Sequence, residues 1–180
     1  YCCLLIPIAS ALIDSNGCFR LNVPLPQEGF YLLGTEQGVM HPFYLKGNET
    51  IRLRFQTNGM ILEGEQTPEN QALSQWEQAA TLVREHAFLY ERFGGGYSTD
   101  PATFTQELED LLRVRQQLKP EKATGNATFN SLLKAKMEAD VDFYALAYLQ
   151  RNAGNLSDTI RLSNYYQKMQ PEKTLQQPAL

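Results

Sequence analysis

The side chains that bind metals or carry redox chemistry are few in this sequence. Two histidines are present, His41 beside a proline and His86 within a helical pattern. No second histidine at helical spacing and no cysteine–histidine cluster accompanies them, so no metal-ligand set is apparent. The three cysteines, Cys2, Cys3 and Cys18, do not form the C-x-x-C spacing of a redox centre. We therefore predict neither a metal site nor a thioredoxin-type centre in this chain.

The cysteines allow two interpretations. Cys3 and Cys18 could pair across neighbouring strands, whereas Cys2 is adjacent to Cys3 and poorly placed to bridge it. Ordinary buried thiols are the competing interpretation. Because an odd number of cysteines gives no complete disulfide framework, both interpretations stay open at this point.

Motifs for nucleophilic or phosphoryl chemistry are not apparent either. The sequence has no G-x-S-x-G nucleophile elbow. The run Phe93–Tyr97 lacks the lysine and hydroxyl of a phosphate loop, which favours a flexible joint between helices. Glu138, Asp140 and Asp142 are spaced by two residues on a predicted helix, so we expect their side chains to point in different directions. We predict no catalytic residue and no cofactor.

Tyrosine side chains supply the remaining candidate site. A tyrosine-rich helix face often forms an interface, because the ring is apolar while the hydroxyl tolerates water. The alternative is that these rings simply pack in the core of a helical bundle. The candidate interface consists of Tyr144, Tyr148, Tyr165 and Tyr166.

Charge is spread evenly along the 180 residues and sums to −4. Residues 1–66 and residues 67–180 each contribute −2. A nucleic-acid-binding surface needs a concentration of lysine and arginine that neutralises phosphates. The even charge distribution therefore disfavours nucleic acid as a partner.

The first 66 residues alternate apolar and polar side chains between turn signals, as strands do. Asn16-Gly17 and Asn58-Gly59 are dipeptides that accept positive φ at both centres of a hairpin turn. The predicted strands are Tyr1–Ile6, Cys18–Val23, Phe30–Leu33, Phe43–Lys46, Ile51–Gln56 and Met60–Glu65, with a further turn at Gly47-Asn48. Short strands joined by tight turns predict an antiparallel sheet or a small β-sandwich.

At Thr67-Pro68 the hydrophobic period changes to that of a helix, with Thr67 as the cap and Pro68 at the first helical position. The predicted helices run from Pro68 to the glycine run, from Asp100-Pro101 to Pro120, from Asn126 to about Asn152, and from Ser157 to about Met169. The predicted fold class is therefore α+β, with an antiparallel β-sandwich or sheet over residues 1–66 and a bundle of about four helices over residues 67–169. Residues 170–180 are aperiodic and are predicted to be a linker-like tail.

Two segments carry a family resemblance. They are A-L-I-D-S-N-G-C-F-R-L (Ala11–Leu21) followed by G-F-Y-L-L (Gly29–Leu33), and M-I-L-E-G-E-Q-T-P-E-N-Q-A-L (Met60–Leu73) at the entry to a helix. This order resembles the non-catalytic N-terminal region of thiol-disulfide oxidoreductases related to TlpA and ResA, of the kind common in Bacteroidetes. The likeness covers most of residues 9–73 and, more loosely, the helices. In that family a thioredoxin domain with W-C-x-x-C follows, so no catalytic residue is carried over to this sequence.

The resemblance implies an exported protein of the periplasm or cell envelope, often attached to the membrane through a lipidated segment upstream of Tyr1. It implies an accessory module that positions or dimerises a downstream thioredoxin-like domain of the same polypeptide. A stand-alone periplasmic module that binds a small ligand in a pocket between sheet and helices is the alternative.

Overall fold

The structure is a computed structural model that describes residues 6–34, 40–56, 59–92, 99–119 and 124–152. In these residues the chain is α+β, with two small antiparallel sheets and three helices. It divides into two compact units, one ending at Glu63 and the next beginning at Gly64. We call them the sheet unit and the helical unit. The predicted fourth helix and the tail lie outside the described residues.

Within its described residues the sheet unit has four strands, and they correspond to four of the predicted strands. β1 (Gly29–Gly34) pairs with β2 (Met40–Leu45), and β3 (Arg52–Gln56) pairs with β4 (Gly59–Glu63), both antiparallel. Gly59 pairs with Gln56, so it is the first residue of β4. The prediction that Gly59 lies at the centre of the turn is therefore wrong, because Gly59 belongs to the strand. The predicted hairpin between β3 and β4 is confirmed.

The turn at Asn16-Gly17 is present, but its geometry differs from the predicted one. Of the two residues Asn16 and Gly17, only Gly17 has a positive φ, of 78°. Its amide donates to Asp14 O over 3.0 Å, and Asp14 N donates to Cys18 O over 2.8 Å. Asp14 Oδ1 accepts from Asn16 N and Cys18 N, each over 2.8 Å. These bonds enclose a three-residue loop, in which only the last residue needs the left-handed conformation.

The predicted strand Cys18–Val23 is not part of a described sheet, and this prediction is wrong. Its predicted alternation is nevertheless visible, because Phe19, Leu21 and Val23 are half-buried while their neighbours are exposed. Pro24 and Pro26 follow at once, and proline offers no donor to extend a ladder. The segment therefore keeps the two-faced character of a strand without its hydrogen bonds.

Aromatic rings occupy the interior of the sheet unit. Phe43 and Tyr44 of β2 are buried at 4% and 1% exposure. Phe55 of β3 lies 5.9 Å from the ring of His41 and stacks on Phe19 at 6.1 Å, measured between centroids. Phe55 thus links β3 to β2 and to the segment that follows the turn.

The three helices begin where the sequence predicts. They are α1 (Pro68–Arg92), α2 (Pro101–Gln117) and α3 (Ala127–Asn152). Asp100 caps α2, its side chain accepting from the amides of Ala102 and Thr103. Asn126 Oδ1 caps α3 by accepting from Phe129 N over 2.9 Å. Such side chains satisfy amides that have no partner inside the helix.

Side chains that recur at helical spacing form the core of the helical unit. Fully or nearly fully buried side chains come from all three helices: Leu73, Trp76, Ala80, Val83, Ala87, Phe104, Leu108, Leu111, Phe129, Leu133, Met137, Val141, Tyr144 and Tyr148. Trp76 is hydrogen-bonded to Asp140, and Ala87 further along α1 is bonded to Arg151 further along α3, so α1 and α3 run parallel. None of the helices that the structure describes has the length and apolar character to cross a bilayer.

Candidate functional site

A buried tryptophan and a carboxylate form the centre of the most developed polar site in the described residues. Trp76 on α1 is 0% exposed, and its indole Nε1 donates to Asp140 Oδ2 on α3 over 2.8 Å. A buried indole N–H needs an acceptor, because leaving it unpaired would cost the lost hydration. The buried face of α1 therefore carries one hydrogen-bond donor, the Trp76 indole, and Asp140 on α3 accepts its bond.

Lys136 joins this carboxylate to a second one. Its Nζ donates to Asp140 Oδ2 over 2.8 Å and lies 3.0 Å from Glu77 Oε1. The side chains of all three residues are less than one-fifth exposed, at 19% for Lys136, 18% for Asp140 and 17% for Glu77. Burial acts to lower the pKa of Lys136, but the charges of Asp140 and Glu77 outweigh it and raise that pKa above its ordinary value. The ammonium group is therefore held in its charged form.

Arg84 completes the set from the next turns of α1. Its Nη1 donates to Glu77 Oε2 over 2.7 Å. Burial acts to lower the pKa of Arg84, but the hydrogen bonds and charges of Glu77 and Tyr144 together outweigh it and raise that pKa. Tyr144 on α3 interacts with the same guanidinium group. Burial, followed by the charge of Asp140, raises the pKa of Tyr144 above its ordinary value, so the phenol stays protonated.

We call Trp76, Glu77, Arg84, Lys136 and Asp140 the charge network. It contains two carboxylates and two cations, and each carboxylate contacts at least one of the cations. Each of these charges is already paired with an opposite charge, and that attraction offsets the loss of hydration. We therefore expect the network to attract a further ion only weakly. The arrangement is suited to fixing α1 against α3 in one register.

A second group of contacts joins the end of α1 to the start of α2 and the end of α3. His86 Nδ1 lies 2.7 Å from Glu107 Oε2. Tyr148 stacks on Phe104 with centroids 3.8 Å apart and planes 5° from parallel, and its hydroxyl donates to Thr99 O over 2.7 Å. Burial, with smaller effects from acidic neighbours, raises the pKa of Tyr148 to about 12.

The tyrosine candidates fall into two groups. Tyr144 and Tyr148 are buried at 4% and 1% exposure, which is the placement that the packing alternative describes. Rings with so little exposed surface have little area to offer a partner. Tyr165 and Tyr166 lie outside the described residues, and their role in an interface stays a prediction.

The two histidines belong to different units of the chain, and Cys18 belongs to the sheet unit. His41 belongs to the sheet unit and His86 to the helical unit, where it is half-buried and contacts Glu107. Cys18 is an exposed free thiol, so the buried-thiol interpretation is wrong for this residue, whereas Cys2 and Cys3 lie outside the described residues. Within the described ranges, no group of three or more histidine, cysteine or acidic side chains is placed to hold a metal ion.

The charge network was not predicted, and the treatment of Asp140 is the reason. Asp140 was grouped only with Glu138 and Asp142, its acidic neighbours at a spacing of two residues. The useful signal is the spacing of four between Lys136 and Asp140, which puts both on one helix face. Glu77 and Arg84 are seven residues apart on α1 and so also share a face. Only the register of α1 against α3 reveals that these two faces meet.

Comparison of this chain with protein-family models, with curated proteins and with solved structures found no match.

Proposed function

We propose that this chain is a non-catalytic accessory module of an exported thiol-disulfide oxidoreductase, and that it positions or dimerises a downstream thioredoxin-like domain of the same polypeptide. The observation that carries the proposal is the charge network, in which Glu77, Arg84, Lys136 and Asp140 contact one another inside the helical unit. These charged groups serve the internal structure of the bundle. A bundle with one fixed register is a suitable element for holding another domain in place.

The physical basis of this role is specificity of packing. A core of apolar stripes alone tolerates small shifts of one helix along another. Buried charges penalise such shifts strongly, because a displaced cation would leave a carboxylate unpaired. Lys136 contacts both Asp140 on its own helix and Glu77 on α1, so sliding α3 along α1 would break an ion pair. The network thus stiffens the helical unit.

We also propose two features of the fold beyond the two sheets and three helices described above. We propose that the two sheets stack as a small β-sandwich, which is supported by the 5.9 Å approach of His41 in β2 to Phe55 in β3. We also propose that Ser157–Met169 adds a fourth helix to the bundle, since its apolar spacing is that of a helix. A periplasmic or cell-envelope location and a lipidated segment upstream remain parts of the proposal that rest on the family resemblance.

The proposal is tested by assaying the purified chain for catalysis of insulin reduction by dithiothreitol. We expect no turnover above the uncatalysed rate, since the C-x-x-C spacing is missing from the sequence. A Cys18→Ser variant is the matched control, because Cys18 is an exposed free thiol. Catalysis that persists in this variant would contradict the proposal.

Sedimentation equilibrium of the same sample distinguishes a module that dimerises the downstream domain from one that only positions it. A concentration-dependent dimer supports a dimerising module, whereas a monomer restricts the proposal to positioning. The stand-alone ligand-binding module stays a prediction.

A further inference from the structure

A second apolar stripe runs along α3, on a different side of the helix from the one that faces the core. Its members recur at spacings of three and four residues, as the side chains of one helix face do: Leu132, Ala135, Ala139, Phe143 and Leu146. From the helical period, it lies roughly 150° around the axis from the core stripe of α3, which runs from Phe129 to Tyr148. We call it the outer stripe. A helix face turned away from the core is ordinarily polar, so this apolar surface indicates a further packing partner.

The outer stripe is less buried than the core stripe. Each side chain of the core stripe is at most 4% exposed, whereas Phe143 is 57% exposed and the other four members of the outer stripe are half-buried. Phe143 contacts the half-buried Phe88 of α1, with ring centroids 5.3 Å apart. The guanidinium group of Arg151 lies 5.0 Å from the centroid of Phe88. The apolar surface therefore continues from α3 onto α1.

The length of the chain after α3 brings the next predicted helix back along this surface. α3 ends at Asn152, and the predicted helix begins at Ser157, so residues 153–156 connect the two. Connections as short as this usually join antiparallel neighbouring helices. Because α1 and α3 run parallel, a helix that reverses direction after Asn152 runs antiparallel to both.

The predicted helix has an apolar face that matches the outer stripe. Leu162, Tyr166 and Met169 recur at spacings of four and three residues. A helix over residues 157–169 spans roughly 20 Å, which reaches from the end of α3 back to about Ala139. Phe143 and Leu146 lie within that length, whereas Leu132 lies beyond it.

We propose that residues 157–169 dock on the second half of the outer stripe and cover Phe143 and Leu146. The driving force is apolar burial, since covering Phe143 removes its exposed ring from water. A second copy of this chain is a less suitable occupant, because a stable interface buries about 800 Å² on each partner, more than five side chains that include two alanines provide. This docking site rests on the fourth helix included in the proposed function, and it does not depend on the accessory role.

Hydrogen exchange of the full chain, followed by mass spectrometry, tests the docking site. We expect the amides of residues 157–169 to exchange more slowly than their intrinsic rates, to an extent that does not change with protein concentration. Phe143→Asp should increase their opening roughly tenfold, because a carboxylate would replace apolar area beneath the docked helix. Leu132→Asp is the matched control, since it makes the same kind of change on the same stripe beyond the reach of the segment. It should leave the protection of residues 157–169 unchanged.

Exchange of residues 157–169 at intrinsic rates in the wild type would overturn the proposal, as would equal effects of Phe143→Asp and Leu132→Asp. Protection that falls on dilution would assign the stripe to a second copy and would also overturn it. Should Phe143→Asp fail to fold, Leu162→Asp provides the decision, with Ser163→Asp on another face of the segment as its control. Loss of protection in Leu162→Asp alone supports the docking, and equal behaviour of these two variants contradicts it. A negative result would leave the insulin assay, and with it the non-catalytic role, unaffected.

Discussion

The Oδ2 atom of Asp140 accepts two hydrogen bonds of equal length, 2.8 Å from the Trp76 indole and 2.8 Å from the Lys136 ammonium group. One donor belongs to the apolar core and the other to the charge network. A single carboxylate oxygen therefore couples the packing of α1 to the electrostatics of α3. Disturbing either donor should weaken the same contact, and the first two predictions follow from this relationship.

Trp76→Phe should destabilise the helical unit by about 2–3 kcal/mol, because it leaves a void and removes a donor from a buried carboxylate. Urea unfolding followed by far-ultraviolet circular dichroism measures the change, since the variant loses the only tryptophan of the sequence. Gln75→Ala, at the exposed neighbouring position, should stay within about 0.5 kcal/mol of wild type. Equal effects at the two positions would refute the role given to the indole.

Lys136→Met should cost roughly 2–3 kcal/mol, because it removes the cation that lies between two mostly buried carboxylates. Adding Glu77→Gln should recover part of that loss, since it removes one of the carboxylates left without this cation. A coupling of at least about 0.5 kcal/mol is expected in the double-mutant cycle, measured by urea unfolding with Trp76 fluorescence. Lys134→Met is the exposed control. Strict additivity of the two substitutions would argue against a network.

The helical unit should lose stability in alkali. The pKa of Tyr148 is raised to about 12, whereas a tyrosine in an unfolded chain ionises near pH 10. A raised pKa contributes stability that is complete below the unfolded value and is lost as the pH rises through the folded one. The urea midpoint should therefore fall between about pH 10 and about pH 12. Tyr148→Phe should show a shallower fall, and an unchanged slope would contradict the assignment.

Asn126→Ala should destabilise α3 by about 1 kcal/mol, because the first turn loses the side chain that accepts from Phe129 N. Asn126→Asp should preserve most of the stability, since aspartate caps helices equally well. Thermal unfolding of the three proteins measures the difference. A loss in the aspartate variant as large as that in the alanine variant would show that the cap is not the reason.

The helix starts were predictable because their causes are local. Asp100 and Asn126 bond to amides two or three residues ahead, so the sequence around each cap contains the whole interaction. The apolar stripes were predictable for a related reason, as the helical period alone decides which side chains share a face. Trp76 lies on such a face of α1 and is fully buried.

The charge network and the arrangement of strands depend on distant partners. Trp76 and Asp140 are 64 residues apart in the sequence, and no local pattern states that they meet. The alternation of Phe19, Leu21 and Val23 predicts an inward face, but it does not specify a neighbouring strand. Tyr144 and Tyr148 illustrate the same limit, because the spacing that suits an interface also suits a core.

Nuclear magnetic relaxation of a thioredoxin-like domain attached after Leu180 tests the proposed positioning most directly. The rotational correlation time of that domain is compared with its value when only residues 170–180 of this chain precede it. Our account predicts a clear increase, toward the value for the joined protein tumbling as one body, because a stiff module restrains the domain that it holds. A correlation time equal to that of the control would show that the domain moves independently and would contradict the positioning role.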